Sequence, residues 1–104
     1  MDRDSVFQAL ADPNRRDMLD ALLKKAGRSV SQLAEDVGIS RQAADKHLQV
    51  LERAGLVISR RHGRERRHYL NPLPFNKVAI GWLRRFEKVR LRDLMPGDAQ
   101  EQAE

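Results

Sequence analysis

A three-residue interruption, Gly38-Ile39-Ser40, separates two short stretches of helical periodicity, and it constrains the fold more than any other feature of the chain. Upstream, Val30, Leu33, Ala34 and Val37 face inward on a short helix that Ser29 can cap, with Gln32 three residues on to complete a capping box. Downstream, Ser40 is a good N-cap, and Ala43, Ala44, Leu48 and Leu51 mark a helix from about Arg41 to Ala54 that Gly55 ends. Two short helices joined by three residues that include a glycine make a helix-turn-helix, and Ile39 plugs the space between them. The small Ala43 and Ala44 let the second helix approach its neighbours. Arg41, Gln42, Asp45, Lys46, Gln49 and Arg53 are left on the opposite face.

A basic hairpin follows at once. Leu56 to Arg61 and Arg66 to Leu70 are rich in Val, Ile and Tyr and predict two strands joined by a loop containing Gly63. Five arginines, Arg60, Arg61, Arg64, Arg66 and Arg67, fall on this ribbon with Glu65 the only acid among them. They would repel one another without a polyanion, so phosphate or minor-groove contact is expected of the set, with Arg64 at the tip. Strand side chains alternate, so some of the other four must point away from the nucleic acid.

Before the interruption, Val6, Phe7 and Leu10 lie on one face of a short helix from Asp4 to Leu10, capped by Asp4 or Ser5. Asp12-Pro13 starts another helix running to about Lys25, with Met18, Leu19, Leu22 and Leu23 as its apolar stripe and Arg15, Arg16, Lys24 and Lys25 in water. After the hairpin, Asn71-Pro72-Leu73-Pro74 predicts a break in regular structure. A last helix is expected from about Phe75 to Leu94. Phe75, Val78, Ala79, Trp82, Phe86 and Val89 form one stripe on it, and Ile80, Leu83, Leu91 and Leu94 a second. Two stripes exceed what one side of a small domain needs, so the surplus predicts a dimer surface shared with the first helix: Val6, Phe7, Leu10, Val78, Trp82, Phe86 and Val89. The expected organisation is one domain over residues 1–95, mainly α with a small β-hairpin, followed by a disordered acidic tail at 96–104.

Composition narrows the chemistry. The 20 Lys+Arg outnumber the 15 Asp+Glu for a formal net charge of +5, which favours a polyanionic partner. There is no cysteine, which removes disulfides, thiolate metal sites and a cysteine nucleophile. His47, His62 and His68 fall on a helix, a loop and a strand, and no two share metal-ligand spacing within one element. No nucleophile order or phosphate-binding glycine loop is present, so neither catalytic residues, nor a metal, nor a cofactor is expected. The amino terminus lacks the apolar run of a signal peptide, no stretch suits a bilayer, and a cytoplasmic protein without a membrane partner is expected.

The run Leu10-Ala11-Asp12-Pro13-Asn14-Arg15-Arg16 with Leu19 opens a series of motifs. Leu33-Ala34, Gly38-Ile39-Ser40, His47-Leu48, Leu51, Ala54-Gly55-Leu56-Val57, Gly63-Arg64 and Tyr69 follow in order. Together they resemble the ArsR/SmtB family of bacterial winged-helix repressors, over about Val6 to Leu94. The resemblance implies a winged helix-turn-helix of order α-α-α-α-β-β-α and a homodimer through the first and last helices. It also implies a recognition helix at Arg41 to Ala54 and a wing at Arg60 to Arg67. Where many members carry a metal-binding Cys-Val-Cys run, this chain has Ser29-Val30-Ser31, and the last helix has no histidine. The Trp82-Leu83-Arg84-Arg85-Phe86 run looks more like the family's metal-independent branches. Asp45 stands where the family often has serine.

Within that frame Arg41 and Gln42 are expected to read bases, since arginine suits guanine and glutamine suits adenine. Ser40 and Lys46 are expected on phosphate, and Gln49 on the same face. Asp45 either accepts from a cytosine amino group or penalises wrong sequences. The expected function is a double-stranded-DNA-binding regulator, an autoregulating repressor of an inverted repeat, with the effector unspecified. Two other readings stand beside it: a winged-helix module whose basic hairpin binds an acidic protein, and a ligand sensor with a pocket at the interface.

Overall fold

The computed structural model describes residues 2–90 and 93. Helix α1 spans Arg3–Leu10, α2 Pro13–Lys24, α3 Val30–Val37 and α4 Arg41–Arg53. Each starts at a side-chain cap that satisfies backbone N–H groups left without partners in the first turn. The Asp12 carboxylate accepts from the N–H of Asn14 at 2.8 Å and of Arg15 at 3.2 Å. Ser29 and Gln32 form the reciprocal capping box, at 3.2 and 3.0 Å. The Ser40 hydroxyl accepts from Ala43 N–H at 3.1 Å. The cap of α1 is Asp2 rather than Asp4 or Ser5: its carboxylate accepts from the Ser5 N–H at 3.3 Å and also from the Ser5 hydroxyl at 2.8 Å, which moves the helix start to Arg3.

The turn of the helix-turn-helix depends on Gly38, whose φ of 78° lies in the left-handed region and lets the N–H groups of Gly38 and Ile39 both reach the carbonyl of Ala34. The elements then close over one core. Val6 and Ala9 of α1, Met18, Leu19 and Leu22 of α2, Leu33 and Ala34 of α3, and Ala44, Leu48 and Leu51 of α4 are all buried there. Removing such a leucine from water contributes about 1.5–3 kcal/mol, so this contact, not helix propensity, holds 8- and 12-residue helices in place.

Strands β1 (Val57–His62) and β2 (Glu65–Leu70) pair antiparallel from Val57↔Leu70 to His62↔Glu65. The connection is only Gly63-Arg64. Gly63 takes a φ of 64° and Arg64 does not, the pattern of a type II′ turn, which suits the strands' twist. An isolated antiparallel bridge, Arg28↔His68, adds the segment before α3 to the free edge of β2. Gly27 N–H donates to the His68 carbonyl at 2.9 Å and His68 N–H to the Arg28 carbonyl at 3.0 Å.

The last element, α5, covers residues 72–86 and departs from the expected helix at both ends. Pro72–Pro74 is its first turn, not a break: Asn71 caps it by accepting from Leu73 N–H at 3.2 Å, and a first turn has no N–H for proline to lose. The turns widen over Phe75–Ile80, return to α geometry over Gly81–Leu83 and tighten over Arg84–Phe86. Val89 and Arg90 lie beyond the regular helix, and Leu91, Leu94 and the 96–104 segment lie outside the described residues. Leu23, expected in the stripe of α2, is 75% exposed, because Leu19 and Leu22 already fill the core-facing side.

Candidate nucleic-acid interface

Burying Ala44, Leu48 and Leu51 fixes the rotation of α4, and the same rotation turns Arg41, Gln42, Asp45, Lys46 and Gln49 fully outward. The five side chains form one polar strip running from the amino end of the helix. Asp45 and Gln49 are linked within it, the Gln49 amide donating to the Asp45 carboxylate at 3.1 Å. Arg53 is turned back onto its own helix, its guanidinium donating to the Gln49 carbonyl at 3.3 Å. Ser40 is exposed at the head of the strip, and its oxygen is engaged as the cap while its O–H remains able to donate.

The hairpin register sorts the arginines. Arg60 faces Arg67 directly across the ladder, and Arg61 faces Arg66. Strand alternation puts the Arg61/Arg66 pair on the face that carries Val57 and His68 into the core, and the Arg60/Arg67 pair on the other. Like charges directly opposite each other destabilise a hairpin. Only two of the four side chains have a partner within the described residues: Arg66 donates to the Ser59 hydroxyl at 2.9 Å, and Arg67 lies 3.6 Å from the Glu65 carboxylate. Arg64, at the tip, is exposed.

The histidines have structural partners. His68 is buried on the inward face, its Nδ1–H donating to the Arg28 carbonyl at 2.8 Å. Because the strand alternates, His68 shares a face with Leu70, a signal present in the sequence pattern. His62 accepts or donates across the hairpin to the Tyr69 hydroxyl at 3.1 Å, and His47 Nδ1 lies 3.4 Å from the Arg15 guanidinium. Among the described residues no group of three or more His, Cys, Asp or Glu is placed to hold a metal ion. Likewise no described helix is long and apolar enough to cross a membrane.

Three arginines tie neighbouring elements together. Arg15, expected in water, is half-buried, and together with Arg16, which stays exposed, it closes the carboxyl end of α1, where the last carbonyls lack helical partners. Arg15 donates to Ala9 at 2.8 Å and Gln8 at 2.9 Å, and Arg16 donates to Leu10 at 2.8 Å. Arg28 forms a two-pronged pair with Asp36, at 3.0 and 2.9 Å, tying the edge segment to α3. The hydrogen bonds from Arg28 hold the Asp36 carboxyl below the usual carboxylate range against the opposing effect of desolvation, and Asp36 in turn raises Arg28. For Asp12, desolvation pushes the carboxyl up but is outweighed by the Arg15 and Asn14 N–H groups, with the charges of His47 and Arg15 adding to them, so the net shift is down.

A separate apolar surface runs along α1 and α5. Trp82 packs edge-on against Phe7 at 5.4 Å and Phe86 at 4.9 Å. Phe7, Leu10, Val78 and Trp82 are half-buried, while Ile80, Leu83, Phe86 and Val89 are exposed, Leu83 by 54% and Phe86 by 52%. Val6, expected on the dimer surface, is wholly buried in the core of the single chain and has no area to offer a second copy.

A helix-turn-helix domain family matches residues 10–60. The HTH-type transcriptional regulator YuzN of Bacillus subtilis is 39% identical over 87 residues, covering 78% of this chain and 95% of its own. The transcriptional repressor SdpR of the same species is 33% identical over 79% of this chain and 89% of its own. Among solved structures, an ArsR family transcriptional regulator superposes with a TM-score of 0.72 at 30% identity, covering 89% of this chain and 92% of that one. The homodimeric winged helix-turn-helix domain of Mb0332 from Mycobacterium bovis superposes at 0.65 and 28% identity, over 81% and 78%. Four helices, the turn at Gly38 and the basic hairpin thus agree with sequence and structural kinship, and the chain belongs to the ArsR/SmtB family of winged helix-turn-helix proteins, which are DNA-binding transcriptional regulators and not enzymes.

Proposed function

We propose that the protein is a cytoplasmic homodimeric repressor that binds an inverted repeat, including one in its own promoter, through α4 and the arginine hairpin. The observation that carries this reading is the outward strip Arg41, Gln42, Asp45, Lys46 and Gln49 on the helix after the turn. Arg41 and Gln42 are the base readers, Ser40 and Lys46 contact phosphate, and Arg60, Arg61, Arg64, Arg66 and Arg67 supply phosphate or minor-groove contacts. Exposed Leu83 and Phe86 beside the Phe7–Trp82 stack support dimerisation through α1 and α5, as does the homodimeric Mycobacterium bovis neighbour. A two-fold dimer sets two α4 helices about 34–36 Å apart, one turn of DNA. The kinship with SdpR supports repression, by occlusion of a promoter.

Metal independence belongs to the same proposal. Ser29 stands where the family resemblance places a metal-binding cysteine in many members, and its hydroxyl is engaged in the capping box of α3. Operator affinity should therefore be the same with added zinc or with a chelator, and a tenfold response would overturn that part. The central experiment is a salt titration of duplex binding, in which log affinity should fall linearly with log salt at about −0.9 per neutralised phosphate. Absence of that slope would favour a protein-interaction module with an acidic partner.

A further inference from the structure

The end of α2, the edge segment before α3, the first turn of α3 and strand β2 enclose a polar cleft of about 270 Å³. No lining residue comes from α1, α4 or α5, so the cleft lies off the proposed dimer surface and off the strip proposed to read bases. Its backbone is closely fitted. Gly27 takes a φ of 78°, and a Cβ there would lie 3.3 Å from the Tyr69 hydroxyl, so only a glycine lets the loop lie against that ring. The Arg28↔His68 bridge pins the next residue to the edge of β2. Four charged side chains line the cleft: Lys25, Arg28, Glu65 and Arg67. Arg28 is held by Asp36, and Arg67 lies 3.6 Å from Glu65. Lys25 alone of the three cations has no carboxylate within ion-pair distance among the described residues.

Lys25 reaches the cleft because it is the first residue past α2 and its backbone is extended, with φ −148° and ψ 111°. Lys24, which closes the helix, does not line it. Beside Lys25 the Gln32 side chain accepts from Ser29 N–H at 3.0 Å through its oxygen, which leaves its NH₂ group to donate. On the outer face of the hairpin Arg60 stands directly opposite Arg67. Arg60, Arg67 and Lys25 therefore form a row of cations from β1 across β2 to the end of α2. Such a row suits the backbone of a polyanion. The cleft is polar and falls below the roughly 300–1,000 Å³ typical of small-molecule sites, so it suits one phosphate group of a strand passing over it. We propose that the cleft holds a backbone phosphate of the bound duplex, with Lys25 as its cation and the Gln32 NH₂ as a second donor. The inference rests on the DNA-binding reading and extends the contact to residues outside α4 and the hairpin.

Lys24 and Lys25 supply an internal control, because both are exposed and removing either charge lowers the net charge equally. A field effect of the whole protein acts on both alike, whereas a local contact acts on Lys25 alone. In anisotropy titrations of the full chain on a random duplex across a salt series, Lys25→Gln should weaken binding by about threefold and lower the magnitude of the slope by about 0.9. Lys24→Gln should leave the slope unchanged, and Lys25→Arg, which keeps the charge, should retain the wild-type slope. Wild-type binding without a salt slope would overturn the DNA-binding reading itself. A normal wild-type slope that Lys25→Gln leaves unchanged, or that Lys24→Gln and Lys25→Gln lower alike, would overturn the role of the cleft alone. Replacing chloride by inorganic phosphate at equal ionic strength should raise the thermal midpoint of the DNA-free wild type and of Lys25→Gln alike, since phosphate is excluded from protein surfaces in general. A rise confined to the wild type, with the duplex slope unchanged by the substitution, would assign the cleft to free phosphate and overturn the proposal equally.

Discussion

The side-chain amide of Gln49 donates to the carboxylate of Asp45, one helical turn earlier, at 3.1 Å on the exposed face of α4. This bond holds a negative charge in fixed orientation among Arg41, Gln42 and Lys46, on the strip proposed to enter the groove. A fixed carboxylate near phosphate weakens binding to every sequence that offers it no donor, which is a way to gain specificity. Asp45→Asn should therefore tighten binding to random duplex by roughly fivefold, the scale of about 1 kcal/mol for an exposed charge. Affinity for the selected operator should change less. Anisotropy titrations on both duplexes check this, and an equal gain on the two would leave Asp45 without a discriminating role.

Arg15 should matter far more to stability than its neighbour Arg16. Arg15 is half-buried and joins the Ala9 and Gln8 carbonyls to His47 on α4, whereas the exposed Arg16 reaches one carbonyl in water. Hydrogen bonds from a charged donor are worth about 1.5–3 kcal/mol when partly shielded. Arg15→Ala should cost about 2 kcal/mol in urea unfolding at fixed protein concentration and Arg16→Ala less than about 0.5 kcal/mol. Equal losses would mean that the tie to His47 contributes nothing.

The Arg28–Asp36 pair gives a pH dependence of known sign. Folding lowers the Asp36 carboxyl below its ordinary value of 3.8, chiefly through the hydrogen bonds from Arg28. The stabilisation is therefore fully present above that ordinary value and is lost as pH falls through the lower, folded value. The gap in stability between wild type and Asp36→Asn should be constant from pH 7 to about pH 5 and should shrink below about pH 4. Urea midpoints at pH 7, 5 and 3 measure it, and a gap that persists undiminished at the lowest pH would exclude the ion pair as its origin.

Local chemistry made much of this fold legible. Asp12, Ser29 and Ser40 each lie within three residues of the N–H groups they cap, so the starts of α2, α3 and α4 follow from neighbours in the sequence. The strip on α4 was equally legible, because one period of 3.6 residues sets both its buried and its exposed side. What escaped depends on distant partners. His68 meets Arg28 across 40 residues, and Arg15 meets His47 across 32. The π-like widening at Phe75–Ile80 has no composition that marks it. For the wing, alternation implied that the arginines divide between two faces, but only the register fixes which two oppose which.

The opposed arginines of the hairpin should trade stability against DNA binding. Arg61 faces Arg66 with no carboxylate between them. Arg61→Thr removes the repulsion and places a β-branched residue on a strand, which should stabilise the protein by about 0.2–1 kcal/mol. If Arg61 contacts a phosphate, the same change should lower the magnitude of the salt slope by about 0.9 and weaken all duplexes alike. A variant that is more stable and unchanged in slope would place Arg61 on the face turned away from DNA.

Base reading and phosphate contact separate most clearly in a comparison of Gln42 with Arg64. Gln42 is exposed in the first turn of α4, where a recognition helix meets base edges, and an amide can pair with adenine through two hydrogen bonds. Arg64 sits at the hairpin tip beside Gly63, where a guanidinium meets backbone phosphate or the narrow groove but has no base-specific partner assigned to it. Gln42→Ala should cost roughly 1–3 kcal/mol on the operator, relax preference at one base position and leave the salt slope unchanged. Arg64→Ala should weaken operator and random duplex by the same factor and reduce the slope by about one. Binding selections from a randomised duplex library, run on both variants at two salt concentrations, read preference and slope together. Equal and unselective losses from the two substitutions would remove Gln42 from the base-reading role and leave α4 as a phosphate-positioning helix.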